Sequence, residues 1–298
     1  MSAVGVLLAL LAAACFGVGA ALQKRRAVVL PAPDGSPLTY ARGFFGDGRW
    51  LAASGLVVAG WGFEFAALAR APVALVLPTA LSGVVLVAAL SSRWFGERLT
   101  GREWLGVAIC VAGVVAAGVP LGEGVPVIEA RLDATALGIA VGALLVAALA
   151  TLAFARHKRA AELCLAGGAG LLYAATGCLT KALAIASTAP RSTTALLVLG
   201  PSLAILCVAA VLVLQRAFQR GRATVAVAVS GAVSSFLPAA LGSAVFGETW
   251  PDGAEGVLRW AALGAMLLGF AFLIGPATRL QAPTTAEAQG RESRSLGC

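Results

Sequence analysis

The sequence predicts an all-α fold, a polytopic membrane bundle of about nine transmembrane helices. Three observations predict this class. Charged residues make up only 12% of the 298 residues and hydrophobic residues 59%, whereas about a quarter of a soluble domain is charged. Apolar stretches long enough to cross a bilayer recur along the chain. Basic residues alternate between successive loops, as they do when a chain crosses a membrane repeatedly.

Nine apolar stretches have about the length, roughly 17 to 25 residues, that spans the hydrocarbon core. Each must be helical, because lipid offers no partner for backbone N–H and C=O groups. They are 2–22, 50–69, 72–92, 103–119, 134–155, 163–186, 192–214, 223–246 and 257–276. The first transmembrane half is therefore 1–119, with a cytoplasmic loop at 27–49, and the second half is 134–276. Residues 277–298 are polar and aperiodic, which predicts a disordered cytoplasmic tail.

The positions of Lys and Arg predict the orientation. Seventeen of the 22 basic residues fall in the odd-numbered loops or the tail, and only four fall in the even-numbered loops. Because basic residues collect on the cytoplasmic side, we expect the N-terminus outside and the C-terminus inside. The location of these basic residues matters more than the net charge of +8, and no motif that reads RNA or DNA accompanies them. We therefore expect a lipid bilayer as the partner and no nucleic acid.

A short motif occurs in both halves. Phe95-Gly96-Glu97 follows the third span, and Phe246-Gly247-Glu248 follows the eighth, half a chain later. The charge pattern places the first copy inside and the second outside. Two related halves of opposite orientation are inverted-topology repeats, the usual plan of secondary transporters.

Two ionisable side chains, Glu64 and Lys181, lie well inside predicted spans. A charge at this depth is costly, so it is usually paired or faces a water-filled cavity. Both residues precede the outer end of their span by five positions, about 7–8 Å. We hypothesise that they face one cavity, and an ion pair between them is one such arrangement. The alternative is that Lys181 snorkels outward and Glu64 is a neutral, hydrogen-bonded acid.

Prolines and hydroxyls at membrane depth complete the candidate site. Three prolines, Pro78, Pro201 and Pro238, interrupt predicted spans. Each frees a backbone carbonyl by removing a hydrogen bond of the helix. Such positions are either kinks or broken helices that line a substrate site. The candidate site residues in this group are Pro78, Thr79, Ser82, Ser234 and Ser235. The hydroxyls supply oxygen ligands or serve helix packing.

One stretch of the sequence resembles a known signature. The run Phe95-Gly96-Glu97-Arg98-Leu99-Thr100, followed by Gly106 and Gly113, resembles the repeat signature of the EamA-like drug/metabolite transporter (DMT) superfamily. The nine-span layout is similar to the NIPA-like magnesium transporter branch, which has residues similar to Lys181 and Gln215. The resemblance implies Mg²⁺ or another divalent cation as substrate, with Gln215 as a site residue and Glu64 as the candidate metal ligand.

The second span departs from the pattern of that branch. The branch has a Gly-Glu pair followed by Asn-Phe, whereas this chain has Gly60-Trp61 followed by Glu64-Phe65. The acid is displaced by three residues, nearly one helical turn, so it can face the same cavity.

The sequence leaves a choice of functions. A secondary transporter of Mg²⁺ or another divalent cation is one, and an exporter of a small metabolite or drug is the other. A non-transporting membrane scaffold subunit, which needs no embedded charge, is the alternative from a different class. A homodimer is a possible assembly of the chain. An enzyme is not expected, because all four aspartates lie in loops and the single His157 lies in a basic run. No cofactor is expected, apart from Mg²⁺ as a substrate.

Overall fold

The computed structural model describes residues 3–30, 37–71, 76, 79–80, 82–95, 100–118, 132–155, 161–187, 192–247 and 253–274. These residues form ten helices and no strand, so the all-α prediction is confirmed for them. The helices are α1 (Ala3–Ala27), α2 (Pro37–Phe45), α3 (Gly48–Leu68), α4 (Gly83–Phe95), α5 (Gly101–Gly118), α6 (Ala134–Phe154), α7 (Ala161–Ser187), α8 (Ser192–Arg220), α9 (Ala223–Phe246) and α10 (Gly253–Ile274).

Six of these helices, α1, α3, α6, α7, α8 and α9, are long and apolar enough to cross a membrane. Large apolar side chains face outward from them. On α6, for example, Ile139, Val146 and Leu149 are 69%, 68% and 69% exposed. Apolar faces of this extent are covered by lipid in a membrane protein and would associate in water. The membrane bundle is therefore confirmed, and the count of nine spans and their orientation stay predictions.

The structure differs from the predicted spans at several places. α1 continues to Ala27 and α8 to Arg220, beyond the predicted ends at 22 and 214. Hydropathy falls at those ends, but helical hydrogen bonding continues because the polar side chains there find partners inside the protein. α8 and α9 also continue through Pro201 and Pro238. Of the two predicted alternatives, a broken helix is therefore wrong at these prolines, and a kink stays a prediction. Pro78, the predicted tail and residues 96–97 and 248 of the repeated motif lie outside the described residues, and the inverted repeat stays a prediction.

The predicted loop at 27–49 contains a helix, α2, which the sequence analysis does not anticipate. Two of its three aromatic side chains are buried: the rings of Tyr40 and Phe44 are 4.9 Å apart, and the ring of Phe44 lies 5.3 Å from that of Trp50. Phe218 at the end of α8 belongs to the same core cluster. Because α2 buries these rings against α3 and α8, this part of the loop is a packed element of the protein.

Carboxylate caps fix where two of the long helices begin. Asp47 precedes α3 and accepts the backbone N–H of Trp50 at 2.8 Å. Asp133 precedes α6 and accepts the N–H groups of Thr135 and Ala136 at 2.9 and 3.0 Å. These bonds satisfy N–H groups that have no partner within the helix. The caps therefore set the register of α3, which carries Glu64.

Helices of the two predicted halves pack on each other. α4 packs on α9, α3 on α7, and α5 forms a close pair with α10. Within the first half, α1 and α4 touch through their backbones: a Cβ added to Gly83 would lie 2.3 Å from the carbonyl oxygen of Ala13. Glycine at this position permits the close approach, which places α1, α3, α4, α7 and α9 around a common interior.

Buried and half-buried charged side chains connect several helix ends at one end of the bundle. We call this the basic end and define it by Lys24, Glu103, Glu162 and Arg222. Lys24 Nζ donates to the carbonyl of Gly221 after α8. Arg222 Nη1 donates to Glu103 Oε1 at 2.7 Å, and Glu162 Oε1 accepts the backbone N–H of Arg222 at 3.0 Å. The ends of α1 and α8 and the beginnings of α5, α7 and α9 therefore meet here. Which side of the membrane this end faces stays a prediction.

Candidate functional site

The interior between the two halves contains a cavity of about 150 Å³, which we call the central cavity. Helices α1, α3 and α4 of the first half and α7 and α9 of the second half contribute most of its walls. The polar residues among its lining are Gln23, Glu64, Tyr173, Thr176, Ser230, Ser234 and Ser235. The central cavity therefore lies between helices of the two predicted halves, and polar side chains form a minor part of its mainly apolar walls.

A second, larger cavity of about 730 Å³ lies between α3 and α8, and we call it the side cavity. Its lining is mainly apolar and aromatic and includes Trp50 and Phe65. Five residues line both cavities: Gln23, Val57, Trp61, Glu64 and Thr176. These five residues form the partition between the central and side cavities.

Glu64 is the only charged side chain among the described residues that line either cavity. It is half-buried on α3 and lies on the partition. An anionic substrate would meet a carboxylate and no compensating Lys or Arg in this lining. The electrostatics of the described lining therefore favour a cation or a neutral molecule.

The hydroxyl groups of the central cavity are arranged as oxygen acceptors. Ser230 Oγ donates to the carbonyl of Ala226 at 2.7 Å, and Ser234 Oγ donates to that of Gly231 at 3.0 Å. Thr176 Oγ1 likewise donates to a carbonyl on its own helix, at 2.8 Å. A hydroxyl has one hydrogen and two lone pairs. Each of these groups uses its hydrogen in the bond to its own helix. Lone pairs remain to accept a hydrogen bond or to coordinate a cation.

The structure gives the two embedded charges different described surroundings, and their pairing stays a prediction. Lys181 is buried, and its Nζ donates to the carbonyls of Leu68 and Ala71 at 3.0 and 3.3 Å. It lines neither cavity, and the described contacts of the two side chains include no Glu64–Lys181 ion pair. The physical reason is that α3 ends at Leu68, and carbonyls left unpaired at a helix end attract the ammonium group of Lys181.

The other predicted site residues are divided among different environments. Ser234 and Ser235 line the central cavity with Glu64. Thr79 is buried beside Ala80, which lines this cavity, and the carbonyl of Thr79 accepts the N–H of Ser82 at 3.0 Å in the turn before α4. Neither Thr79 nor Ser82 is among the lining residues. Gln215 is buried at the wall formed by α1 and α8, and Pro78 lies outside the described residues.

The sequence analysis misses four polar residues that line the central cavity, Gln23, Tyr173, Thr176 and Ser230. Ser230 could have been found, because it precedes Ser234 by four residues and such residues share a helix face. Gln23 follows the predicted end of the first span at residue 22, so hydropathy gives no signal for it; the longer α1 buries it. Thr176 is a single hydroxyl in an apolar run, which gives no signal in hydropathy.

The donor set suits a substrate ion better than a resident metal. Within the described residues no three His, Cys, Asp or Glu side chains group closely enough to hold a metal ion. A hydrated cation needs fewer protein ligands, because Mg²⁺ binds oxygen and usually keeps several of its waters. One carboxylate, several hydroxyl oxygens and retained waters form a donor set of this kind.

The fold and the cavities define a multi-pass integral membrane protein with a polar interior between helices of its two halves. The family model described as Magnesium transporter NIPA matches residues 1–120. The predicted resemblance to this transporter family is thus confirmed over α1 to α5, the part of the chain that carries Gln23, Ser54 and Glu64. No curated protein and no solved structure matches the chain significantly.

Proposed function

We propose that this protein is a secondary transporter that moves Mg²⁺ or another divalent cation through the central cavity by alternating access between its two halves. The observation that carries the proposal is the position of Glu64, the single charge on the partition between the cavities. Glu64 attracts the cation, and the oxygens of Thr176, Ser230 and Ser234 replace part of its water shell. The match of residues 1–120 to a magnesium transporter family supports the choice of ion.

The test is Mg²⁺ flux in proteoliposomes that contain the purified protein and a trapped Mg²⁺-sensitive dye. Glu64→Gln keeps the size and hydrogen-bonding capacity of the side chain and removes its charge. We expect flux to fall at least tenfold, equivalent to about 1.4 kcal/mol, because the substrate loses its only carboxylate contact in the described lining. Glu287→Gln, the same chemical change in the C-terminal segment, should transport like the wild type. Wild-type flux from Glu64→Gln would refute the role of Glu64.

The size of the side cavity favours one alternative, export of a small organic molecule. Its volume of about 730 Å³ is within the range of about 300–1,000 Å³ that is typical of ligand pockets. Aromatic residues such as Trp61 and Phe65 line it. The same proteoliposomes discriminate between the two functions: flux of a fluorescent organic cation that Mg²⁺ does not inhibit, in the absence of Mg²⁺ flux, would favour the exporter.

A further inference from the structure

The wall where α1, α3 and α8 meet contains a cluster of uncharged polar side chains. Gln23 Nε2 donates to Ser54 Oγ at 3.0 Å, and Gln215 Nε2 donates to Gln23 Oε1 at 3.0 Å. Gln23 is 3% exposed and Gln215 is 0% exposed. Three polar side chains from three helices are thus joined at a position that hydropathy would fill with apolar residues. We call this group the amide cluster.

One atom of the amide cluster has no hydrogen-bond partner among the residues that the structure describes. This atom, Gln215 Oε1, is buried, and no donor from the described part of the chain bonds to it. An unpaired acceptor in a membrane interior is unfavourable, since neither water nor lipid supplies a donor there. A cluster that only joined helices would gain nothing by leaving this oxygen unpaired. A bound cation, or one of its water ligands, would supply the missing partner, and amide oxygens are ligands that Mg²⁺ accepts.

Two residues of the amide cluster border the cavities at the Glu64 site, and Gln215 lies behind them, bonded to Gln23. Gln23 lines both cavities, and Ser54 lines the side cavity together with Glu64. Ser54 precedes Glu64 by ten residues on α3, which places it about 15 Å closer to the basic end. The same open space therefore borders a charged group and, further along the helix, a neutral group of oxygens.

We propose that the amide cluster of Gln23, Ser54 and Gln215 is a second binding station for the transported cation, between Glu64 and the basic end. This inference rests on the proposed function. A neutral station complements a charged one, because an ion must bind strongly enough to enter a pathway and weakly enough to leave it. The cation passes from the carboxylate of Glu64 to the amide and hydroxyl oxygens as it approaches the basic end.

The first test measures Mg²⁺ flux for Gln215→Met and Ser54→Ala in the proteoliposomes described above. Methionine has a similar length and lacks the amide oxygen. We expect the maximal flux to fall about ten- to hundredfold in Gln215→Met, the range for loss of a hydrogen bond to a charged group, with a smaller loss in Ser54→Ala. Ser202→Ala is the matched control, since Ser202 lies on an exposed face of α8 and bonds to Val198 within that helix.

A second measurement separates a binding station from a purely structural cluster. Ser54→Cys is labelled with a positively charged thiol reagent, and mass spectrometry locates the label. We expect labelling that Mg²⁺ slows, both in the otherwise unchanged protein and when combined with Glu64→Gln. Absence of labelling, or labelling that Mg²⁺ does not affect, would overturn the proposal, as would wild-type flux in both Gln215→Met and Ser54→Ala.

The outcomes also distinguish this proposal from the proposed function. If the wild-type protein moves no Mg²⁺, the proposed function fails and the second station fails with it. If Glu64→Gln stops flux while Gln215→Met and Ser54→Ala transport normally, the transporter remains and only the second station is rejected. A loss of flux that merely matches a loss of folded protein, measured by size-exclusion chromatography, also rejects the second station.

Discussion

The ion pair at the basic end offers the sharpest test of how the bundle is held together. Glu103 begins α5, a helix that packs mainly on α10 and has little contact with α4. Its Oε1 accepts a hydrogen bond from Arg222 Nη1 at 2.7 Å, and the two side chains are 3% and 12% exposed. This pair therefore ties the α5–α10 pair to the beginning of α9. The informative change is Glu103→Gln, which removes the charge and keeps the shape.

The magnitude follows from the burial of the pair. Removing one partner of a buried ion pair costs about 3–5 kcal/mol, because the other charge is left without compensation. A domain of this size loses about 2–4 °C in Tm per kcal/mol, so we expect Tm to fall by roughly 6–20 °C. Helix capping contributes little to this difference. Glu103 Oε2 accepts the N–H of Thr100 at 2.7 Å, and glutamine fills the same role in a capping box.

The assay is the fraction of detergent-solubilised protein that remains monodisperse after heating, measured by size-exclusion chromatography. Thr100→Ala is the control for the cap alone and should cost about 1 kcal/mol. Replacing Glu103 and Arg222 together by Met should recover much of the loss, since a buried pair exchanged for apolar groups is often neutral. The reasoning is refuted if Glu103→Gln melts at the wild-type temperature, or if the double variant is no more stable than Glu103→Gln.

Two further predictions concern helix packing and pH. Gly83→Ala should destabilise the protein by about 1–3 kcal/mol, since the new Cβ meets the Ala13 carbonyl. In the control Gly138→Ala, no described atom lies within 4 Å of the new Cβ, and stability should rise by up to about 1 kcal/mol. Equal Tm values of the two variants would contradict this. The hydrogen bond from Arg26 lowers the pKa of Asp47, so the stability that Asp47 contributes should be present at neutral pH and lost as pH falls below about 4. The Tm difference between the wild type and Asp47→Asn should shrink over that range, and a constant difference from pH 7 to 3 would exclude the linkage.

The membrane class could be predicted from the sequence because it depends on composition over long segments. The helices α6 and α9 illustrate this: α6 (Ala134–Phe154) and α9 (Ala223–Phe246) begin at the predicted residues and end within one residue of the predicted boundaries. Hydropathy determines them because lipid surrounds much of their surface. The position of Glu64 at a cavity could be predicted for a related reason, since an acid within an apolar segment is rare and usually faces a cavity or a partner.

The details of the site could not be predicted, because they depend on partners distant in sequence. Lys181 and Glu64 have matched depths, yet depth along a helix does not specify which neighbour a side chain meets. Lys181 instead bonds to the carbonyls at the end of α3. Gln23 is a second example. The fall in hydropathy places it outside the membrane, but hydrogen-bond partners on α3 and α8 make its burial favourable.

The distribution of polar groups that already have hydrogen-bond partners within the protein bears on how such a bundle can move a cation. At the basic end, charged side chains are bound to one another or to backbone carbonyls, as Arg222 is to Glu103. At the opposite end of α3, Lys181 is bound to carbonyls in the same way. Between these two levels, the hydroxyls of Ser230 and Ser234 donate their hydrogens to carbonyls of their own helix. Oxygen lone pairs are therefore available at the depth of the central cavity, while the polar groups at the ends hold the helices in place. A substrate rich in hydrogen-bond donors, such as a hydrated cation, can exchange partners in the middle of the bundle without breaking the contacts at its ends.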